Sequence, residues 1–189
     1  NDYAKQNKII FFSAPFSFEA VDLLTKLNVK AMKIASGDLT NIPLIKYAAS
    51  KKKTMIVSTG MGNLNEIKEA VSTIKSVKNK NLILMHSVSS YPTPIKDVNL
   101  NSMSLLEKKF SCPIGYSDNG ENMIVPIVAV SLGAKIIEKH FTLDKKLFGP
   151  DHLASSTPDE FKSLTDSVRR AENILGSPVK TCQHEERQM

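Results

Sequence analysis

The chain has 189 residues, of which 41% are hydrophobic and 23% charged, and its formal net charge is +6. This length and composition predict one globular domain with its own core. No apolar run reaches the roughly 18 residues of a membrane span, and the polar start NDYAKQNK is unlike a signal peptide. The two cysteines, Cys112 and Cys182, have no metal-ligand spacing, so we expect a cytoplasmic protein without a disulfide framework.

The net charge of +6 raises the question of nucleic-acid binding. The lysines, however, are scattered in short groups, at 51–53, 108–109 and 145–146. The chain has no Trp, and no aromatic residues for base stacking stand between the basic ones. We therefore expect neither a nucleic-acid nor a membrane partner. A solvated surface, or local attraction for an anionic substrate, accounts for the charge.

Short apolar runs recur along the chain at a steady spacing. Each is rich in β-forming residues and ends in a small or polar residue, which predicts a strand. The six runs begin near Ile9, Met32, Met55, Leu82, Pro113 and Ile136.

Helical patterns fill the gaps between these runs. The apolar residues between 64 and 77 fall on one face of a helix with a 3.6-residue period. Asn63 with Glu66 resembles a capping box, and Thr157 and Glu160 occupy cap positions at the start of the last helix. The other predicted helices are 17–27, 43–51, 100–110 and 121–132.

Strict alternation of strands and helices predicts a parallel sheet covered by helices, either doubly wound or a (β/α)₈ barrel. No Gly-x-Gly-x-x-Gly turn follows a strand, which weakens the doubly wound, dinucleotide-binding version. We predict an incomplete TIM-type (β/α)₈ barrel at residues 1–176, with about six units present and the first two missing. Residues 177–189 are predicted to be a linker or terminal arm. The predicted strands end in Ser13, Ser36, Ser58, Ser87, Ser117 and His140.

Lys33 stands inside an apolar strand, MKIAS, where burial of its charge must be compensated. Three interpretations are open: an amine that forms a Schiff base, a cation that binds phosphate, or a lysine that reaches solvent at an edge. Ala35, Ser36 and Gly37 favour phosphate, because backbone N–H groups of small residues approach an anion closely. Asp38 follows and could accept substrate hydroxyls.

Glu138 and His140 share one face of the last predicted strand, because strand side chains alternate. A polar loop dense in acidic residues follows. These residues could form a site at the end of the strand. The alternative is a core histidine whose hydrogen bond with Glu138 compensates its burial.

The motifs FFSAPF, KIASGD, VSTGM, HSVSSYPTP, GYSDN, IIEKHFTLD and GPDHLASSTPDEF occur in this order. With them the chain resembles the sialic acid synthases over roughly residues 9–178, including the enzymes for legionaminic, pseudaminic and spore-coat sugars. The resemblance implies a barrel enzyme that condenses phosphoenolpyruvate with an N-acetylated, N-acetylmannosamine-like amino-sugar aldehyde and releases phosphate. It also implies a divalent metal, Mn²⁺ or Mg²⁺, that polarises the aldehyde oxygen.

The resemblance assigns roles to individual positions. The residues implied to hold the phosphate and carboxylate of phosphoenolpyruvate are Lys33, Ser36, Ser58, Ser89 and Ser117. Those implied to contact the sugar are Asp38, Tyr91 and Asp151, and those implied to bind the metal are His140 and Asn119. We count Lys33, Asp38 and Glu138 as the catalytic candidates.

Several positions depart from the family pattern. Asn119 replaces a histidine ligand, Ala14 replaces a threonine, and Asp38 replaces a glutamate. The family's first two strands and its C-terminal antifreeze-like domain are expected to be missing. We therefore expect a weakly bound or absent metal and a homodimer. Two alternatives remain, a non-catalytic remnant that keeps an anion site and a Schiff-base aldolase that uses Lys33.

Overall fold

A computed structural model describes residues 1–188 of the chain. Within these residues, five strands form one sheet in the order β1-β2-β3-β4-β5, and each neighbouring pair is parallel. The strands are β1 Ala31–Ile34, β2 Thr54–Ser58, β3 Leu82–Ser87, β4 Ile114–Asp118 and β5 Ile137–Lys139.

Every predicted helix is present, and the predicted caps are confirmed. Asn63 with Glu66, and Thr157 with Glu160, form complete capping boxes. A short first helix was not predicted. The helices are α1 Asp2–Gln6, α2 Phe18–Lys26, α3 Ile42–Ser50, α4 Leu64–Ser76, α5 Asn101–Phe110, α6 Ile124–Ser131 and α7 Pro158–Leu175.

The strand order decides between the two predicted architectures. A doubly wound sheet reverses its order at a switch point, whereas here each strand pairs with the next one along the chain. The structure is therefore a parallel α/β half-barrel. Closure into a complete eight-stranded barrel stays a prediction.

The two faces of the sheet differ in composition. The helix-facing side holds the main core, in which Met32, Ile34 and Leu84 are fully buried. The concave side has a small apolar cluster around Ile56 and Met85. Because side chains alternate along each strand, the concave side also receives the polar residues at the carboxyl ends of the strands.

The prediction of a strand at Ile9 is wrong. In this segment Ser13 alone pairs with Met32, as an isolated bridge, and the Lys33 amide donates to the Ser13 carbonyl at 3.1 Å. Ile9 and Ile10 are 64% and 70% exposed. A segment at the edge of a sheet has a partner on one side only, so its apolar residues do not suffice to extend the ladder.

The chain continues past the last helix. The predicted arm includes a short 3₁₀ helix, Glu185–Gln188, and its last residue lies outside the described range. No helix within residues 1–188 combines the length and the apolarity that a membrane span needs. Cys112 and Cys182 are both free thiols.

Candidate functional site

An ion pair crosses the concave face at the carboxyl end of the sheet. Lys33 Nζ on β1 lies 2.5 Å from Glu138 Oε1 on β5, and Ser117 Oγ on β4 donates to the same oxygen at 2.8 Å. The Lys33 and Glu138 side chains are 18% and 31% exposed. The curvature of the sheet brings these strands together, since β1 and β5 are not neighbours in it. A partly desolvated cation thus stands at the mouth of the half-barrel.

Within residues 1–188, no hydrogen bond joins Glu138 to His140, so Glu138 does not orient the His140 ring. Its recorded partners within residues 1–188 are Lys33 and Ser117. The His140 ring instead packs edge-on against Tyr91, with ring centroids 5.5 Å apart. The predicted alternation is seen for Glu138, which turns to the concave face, and Lys139, which pairs with Asp118 on the opposite side. His140 itself follows the last residue of β5.

A small cradle forms where the first two strands end. The Gly60 amide donates to Ser36 Oγ at 3.2 Å. A β-carbon on Gly60 would overlap Ser89 Oγ and would lie 2.7 Å from Ser36 Oγ. A side chain at this position would turn the two serine hydroxyls away, so glycine allows two hydroxyls and a backbone amide to converge. Such convergence suits the oxygen atoms of an anion.

Ser58 adds an unsatisfied hydroxyl beside this cradle. It is the last residue of β2 and is 2% exposed, yet its Oγ has no hydrogen-bond partner among residues 1–188. An unpaired buried hydroxyl costs about 1–3 kcal/mol. A ligand that accepts a hydrogen bond at this point would remove that cost.

Asn119 is held firmly by its amide nitrogen. Its Nδ2 donates to the Val88 carbonyl at 2.9 Å and to Ser87 Oγ at 3.2 Å. This leaves Oδ1 as the atom that could face a cation. The site thus offers one amide oxygen and the imidazole of His140. Across the described residues there is no group of three or more His, Cys, Asp or Glu side chains that could hold a metal.

Tyr91 lies among the other candidate residues. Burial raises the pKa of the Tyr91 phenol, and the carboxylates of Asp151 and Glu138 raise this pKa further. A hydrogen bond with Asn119 acts in the opposite direction. Tyr91 is also 46% exposed, so the phenol forms a wall of the site that a substrate can reach.

The remaining two acidic candidates lie on the flanks. Asp38 ends the short 3₁₀ turn Ser36–Asp38, where Asn41 Nδ2 donates to its carboxylate at 3.2 Å. Asp151 is exposed on the loop before α7, near enough to Tyr91 to affect its pKa. The structure therefore brings Lys33, Glu138 and Ser117 into direct contact but leaves these two carboxylates at the rim.

Sequence reasoning missed a buried ion pair behind the site. Lys139 Nζ lies 2.8 Å from Asp118 Oδ2, and the side chains are 6% and 2% exposed. Asp118 Oδ1 accepts from the Gly120 amide at 3.0 Å and from the Tyr116 hydroxyl, whose pKa is raised by burial and by Asp118. These contacts fix the turn that carries Asn119. The motif VSTGM includes Gly60, and a glycine just after a buried strand signals close approach, but the sequence does not show that Ser36 and Ser89 are what approach it.

The half-barrel with polar side chains at its carboxyl edge defines a TIM-type α/β protein. The chain belongs to the NeuB family, whose model matches residues 1–180. This confirms the family predicted from the motifs.

Relatives and a solved structure agree with this assignment. The chain is 48% identical to the uncharacterized protein MJ1065 of Methanocaldococcus jannaschii, covering 95% of this chain and 53% of that protein. It is 45% identical to N,N'-diacetyllegionaminic acid synthase of Legionella pneumophila, covering 95% and 52%. The crystal structure of N-acetylneuraminic acid synthetase from Leptospira borgpetersenii in complex with citrate superposes with a TM-score of 0.92 at 38% identity, covering 99% of this chain and 65% of that one. The chain thus spans about half the length of the curated relatives it matches.

Proposed function

We propose that this chain carries the phosphoenolpyruvate-binding part of an enzyme that makes a nonulosonic acid. C3 of phosphoenolpyruvate would bond to the aldehyde carbon of an N-acetylated amino sugar. Water oxygen would add at C2, and phosphate would leave. The names of the relatives as legionaminic and neuraminic acid synthases support the reaction class. The observation that carries the proposal is the cradle of Ser36, Gly60 and Ser89 beside the unsatisfied hydroxyl of Ser58.

Each residue has a physical task in this scheme. Lys33 supplies the positive charge, and Glu138 holds the lysine in place and orients Ser117. The hydroxyls of Ser36, Ser58 and Ser89 would donate to the phosphate and carboxylate oxygens, since donors to an ionised group form the stronger hydrogen bonds. The Gly60 amide, which donates to Ser36 Oγ, leaves the Ser36 hydrogen to point at the anion. An ammonium group paired with a carboxylate is not a nucleophile, which argues against the Schiff-base alternative for Lys33.

The sugar would bind on the outer side of the same mouth. Tyr91 offers a hydroxyl and an apolar ring, and Asp38 and Asp151 offer carboxylates that accept hydrogen bonds from sugar hydroxyls. Asp38 follows β1 and Asp151 follows β5, so the substrate would reach both where these two strands come together. We expect the aldehyde end to point inward, toward Lys33 and His140.

Residues 1–188 do not complete a divalent metal site by themselves. Asn119 Oδ1 and the His140 imidazole are two donors, whereas Mn²⁺ and Mg²⁺ take about six ligands. We propose that any ion is held weakly and that water or substrate provides most of its shell. Asn119→His should raise Mn²⁺ affinity, because imidazole favours first-row transition metals. An unchanged affinity, or a stoichiometric metal in the unaltered protein by elemental analysis, would overturn this point.

The homodimer and the cytoplasmic setting also stay predictions.

The test is a calorimetric titration of the chain with phosphoenolpyruvate. Lys33→Ala should weaken binding about tenfold or more, since it removes a partly desolvated charge from the site. Lys46→Ala, an exposed lysine of α3, is the matched control and should bind like the unaltered chain. Equal binding by both variants would reject the anion site at Lys33. Covalent labelling of Lys33 by borohydride with pyruvate would favour the aldolase instead.

A further inference from the structure

The amino end of the sheet carries a second, unrelated surface. Five loops lead from a helix into a strand there, at residues 27–30, 51–53, 77–81, 111–113 and 132–136, and none contains an acidic residue. Exposed or half-buried lysines lie in these loops and in the last turn of α5. We call those without an ion pair the basic face: Lys30, Lys52, Lys53, Lys78, Lys80, Lys108, Lys109 and Lys135. Lys51 of the second loop is left out because it pairs with Asp22 at 2.7 Å.

The charges of the basic face are not neutralised within the chain. No salt bridge among residues 1–188 includes any of its eight lysines. Lys52 Nζ donates to the Val77 carbonyl, and Lys53 Nζ donates to Asn28 Oδ1 at 2.7 Å. Buried Asn79 donates to the Ala49 and Lys53 carbonyls and so ties two loops together. The lysines therefore stand on a connected platform and keep their charges.

Two of these lysines occupy backbone positions that disfavour them. Lys52 and Lys78 have φ angles of 61° and 57°, in the left-handed region. Asn28 and Gly133, with φ of 51° and 100°, occupy the equivalent turns of other loops. Asparagine and glycine adopt this region at the lowest cost, whereas other residues lose about 1 kcal/mol. Lysine at two such turns places charge where the fold alone would favour another residue.

The opposite end of the sheet has a different composition. The loops that leave the strands there contain acidic residues as well as lysines, including Asp38, Glu121, Asp144 and Asp151. Acidic side chains near the amino end, such as Asp22 and Glu107, stand on helices, whereas the five loops themselves carry positive charge alone. A partner for that end must present negative charge over the width of several loops.

We propose, against the expectation from the sequence that there is no membrane partner, that the basic face docks on a membrane surface that contains anionic lipids. The starts of parallel strands in a half-barrel lie along one rim, so all five loops can touch a plane at once, whereas a linear polyanion would follow only part of the arc. The loops contain no arginine for bidentate contacts and no aromatic residue for base stacking, both of which nucleic-acid surfaces use. Lysine is a point charge that suits a diffuse layer of headgroups. Docking in this way leaves the candidate site facing the solvent.

The experiment is sedimentation of the 189-residue chain with vesicles of phosphatidylcholine that contain about 30% phosphatidylserine. We expect binding at low ionic strength that is lost at high salt, and none to pure phosphatidylcholine. Replacing Lys52, Lys53, Lys78 and Lys80 with glutamine should lower the affinity by more than about 100-fold, at about fivefold per lysine.

The matched control replaces four exposed lysines elsewhere, Lys46, Lys68, Lys96 and Lys146, with glutamine. It has the same net charge as the first variant and should retain most of the vesicle binding. Equal loss in both variants would show that net charge, and not the basic face, is responsible, and would overturn the proposal. Tighter binding to duplex RNA or DNA than to the vesicles, or binding to neither, would also overturn it. Circular dichroism of both variants checks that the fold is intact.

Discussion

At the carboxyl end of the sheet, charged and polar side chains from β1, β4 and β5 bond to one another. At the amino end, the lysines of the basic face have no acidic partner among residues 1–188, and two of them donate to uncharged groups. Lys33 Nζ and Ser117 Oγ both bond to the same carboxylate oxygen, Glu138 Oε1. Among residues 1–188, no shared acceptor joins the lysines of the basic face. The same strands thus supply both surfaces, and the topology decides which residues gather at which end.

The two ends also differ in what a removed charge should cost. A charge that is withdrawn from water depends on its partner, so loss of the partner is expensive. An exposed lysine is already solvated, so its removal changes stability little and changes long-range attraction more. Substitutions of charged residues at the carboxyl end should therefore change the free energy of unfolding and the affinity for ligand. Substitutions of lysines at the amino end should change salt-dependent association instead.

The largest expected effect is on the buried pair behind the site. Asp118→Asn leaves the Lys139 ammonium buried without its counter-charge, and we expect a loss of about 3–5 kcal/mol in the free energy of unfolding. Asp166→Asn breaks an exposed pair with Lys162 and should cost less than about 1 kcal/mol. Urea denaturation measures both variants. Similar losses would mean that burial does not distinguish these pairs.

A glycine pair tests the cradle. Gly60→Ala places a methyl group against Ser36 Oγ and Ser89 Oγ and should weaken phosphoenolpyruvate binding about tenfold or more. Gly37 is also expected near the anion, but an alanine there meets no protein atom within 4 Å, so Gly37→Ala should lower the affinity less than Gly60→Ala does. Calorimetric titration compares the two. Retained binding in Gly60→Ala would show that the anion does not enter the cradle.

The smallest effect concerns the start of α7, which adjoins the candidate site because the Ser156 amide donates to the His140 carbonyl at 2.8 Å. The Lys145 ammonium, 2.8 Å away, and the Thr157 amide hold the pKa of Glu160 below its ordinary value. A lowered carboxyl pKa stabilises the fold at neutral pH, and this contribution is lost as the pH falls through the folded pKa.

Glu160→Gln should therefore cost about 0.5–1 kcal/mol at neutral pH, because the cap is kept and the ion pair is partly solvated. The difference from the unaltered chain should vanish in acid. Glu69→Gln, an exposed carboxylate of α4, serves as the control in the same thermal-unfolding series. A difference that persists at low pH would mean that charge is not the cause.

Much of the fold could be predicted because its signals are local. Asn63, Thr157 and their glutamate partners mark helix starts within four residues of sequence. Apolar runs mark buried strands in the same way. The run at Ile9 predicted a strand that does not form. A segment at the edge of a sheet has a neighbour on one side only, and a second neighbouring strand would be needed to extend its ladder of hydrogen bonds.

The site was only partly predictable because its contacts are long-range. Serines at strand ends identified the correct edge, but no local pattern pairs Lys33 with Glu138, which is 105 residues away. A hydrogen bond between Glu138 and His140 was one interpretation of their shared strand face. The Glu138 carboxylate instead pairs with the Lys33 ammonium group. The basic face was overlooked for the same reason, because its lysines are separated in sequence and meet only at the rim of the sheet.

The most direct test of the central claim is a crystal structure of the chain grown with phosphate. We expect tetrahedral density at the carboxyl end, within hydrogen-bonding distance of Ser58 Oγ and the Ser36–Gly60 cradle. We also expect this density to be lost in crystals of Lys33→Ala. Phosphate found only among the lysines of the amino end, or density at the carboxyl end that survives Lys33→Ala unchanged, would contradict the claim.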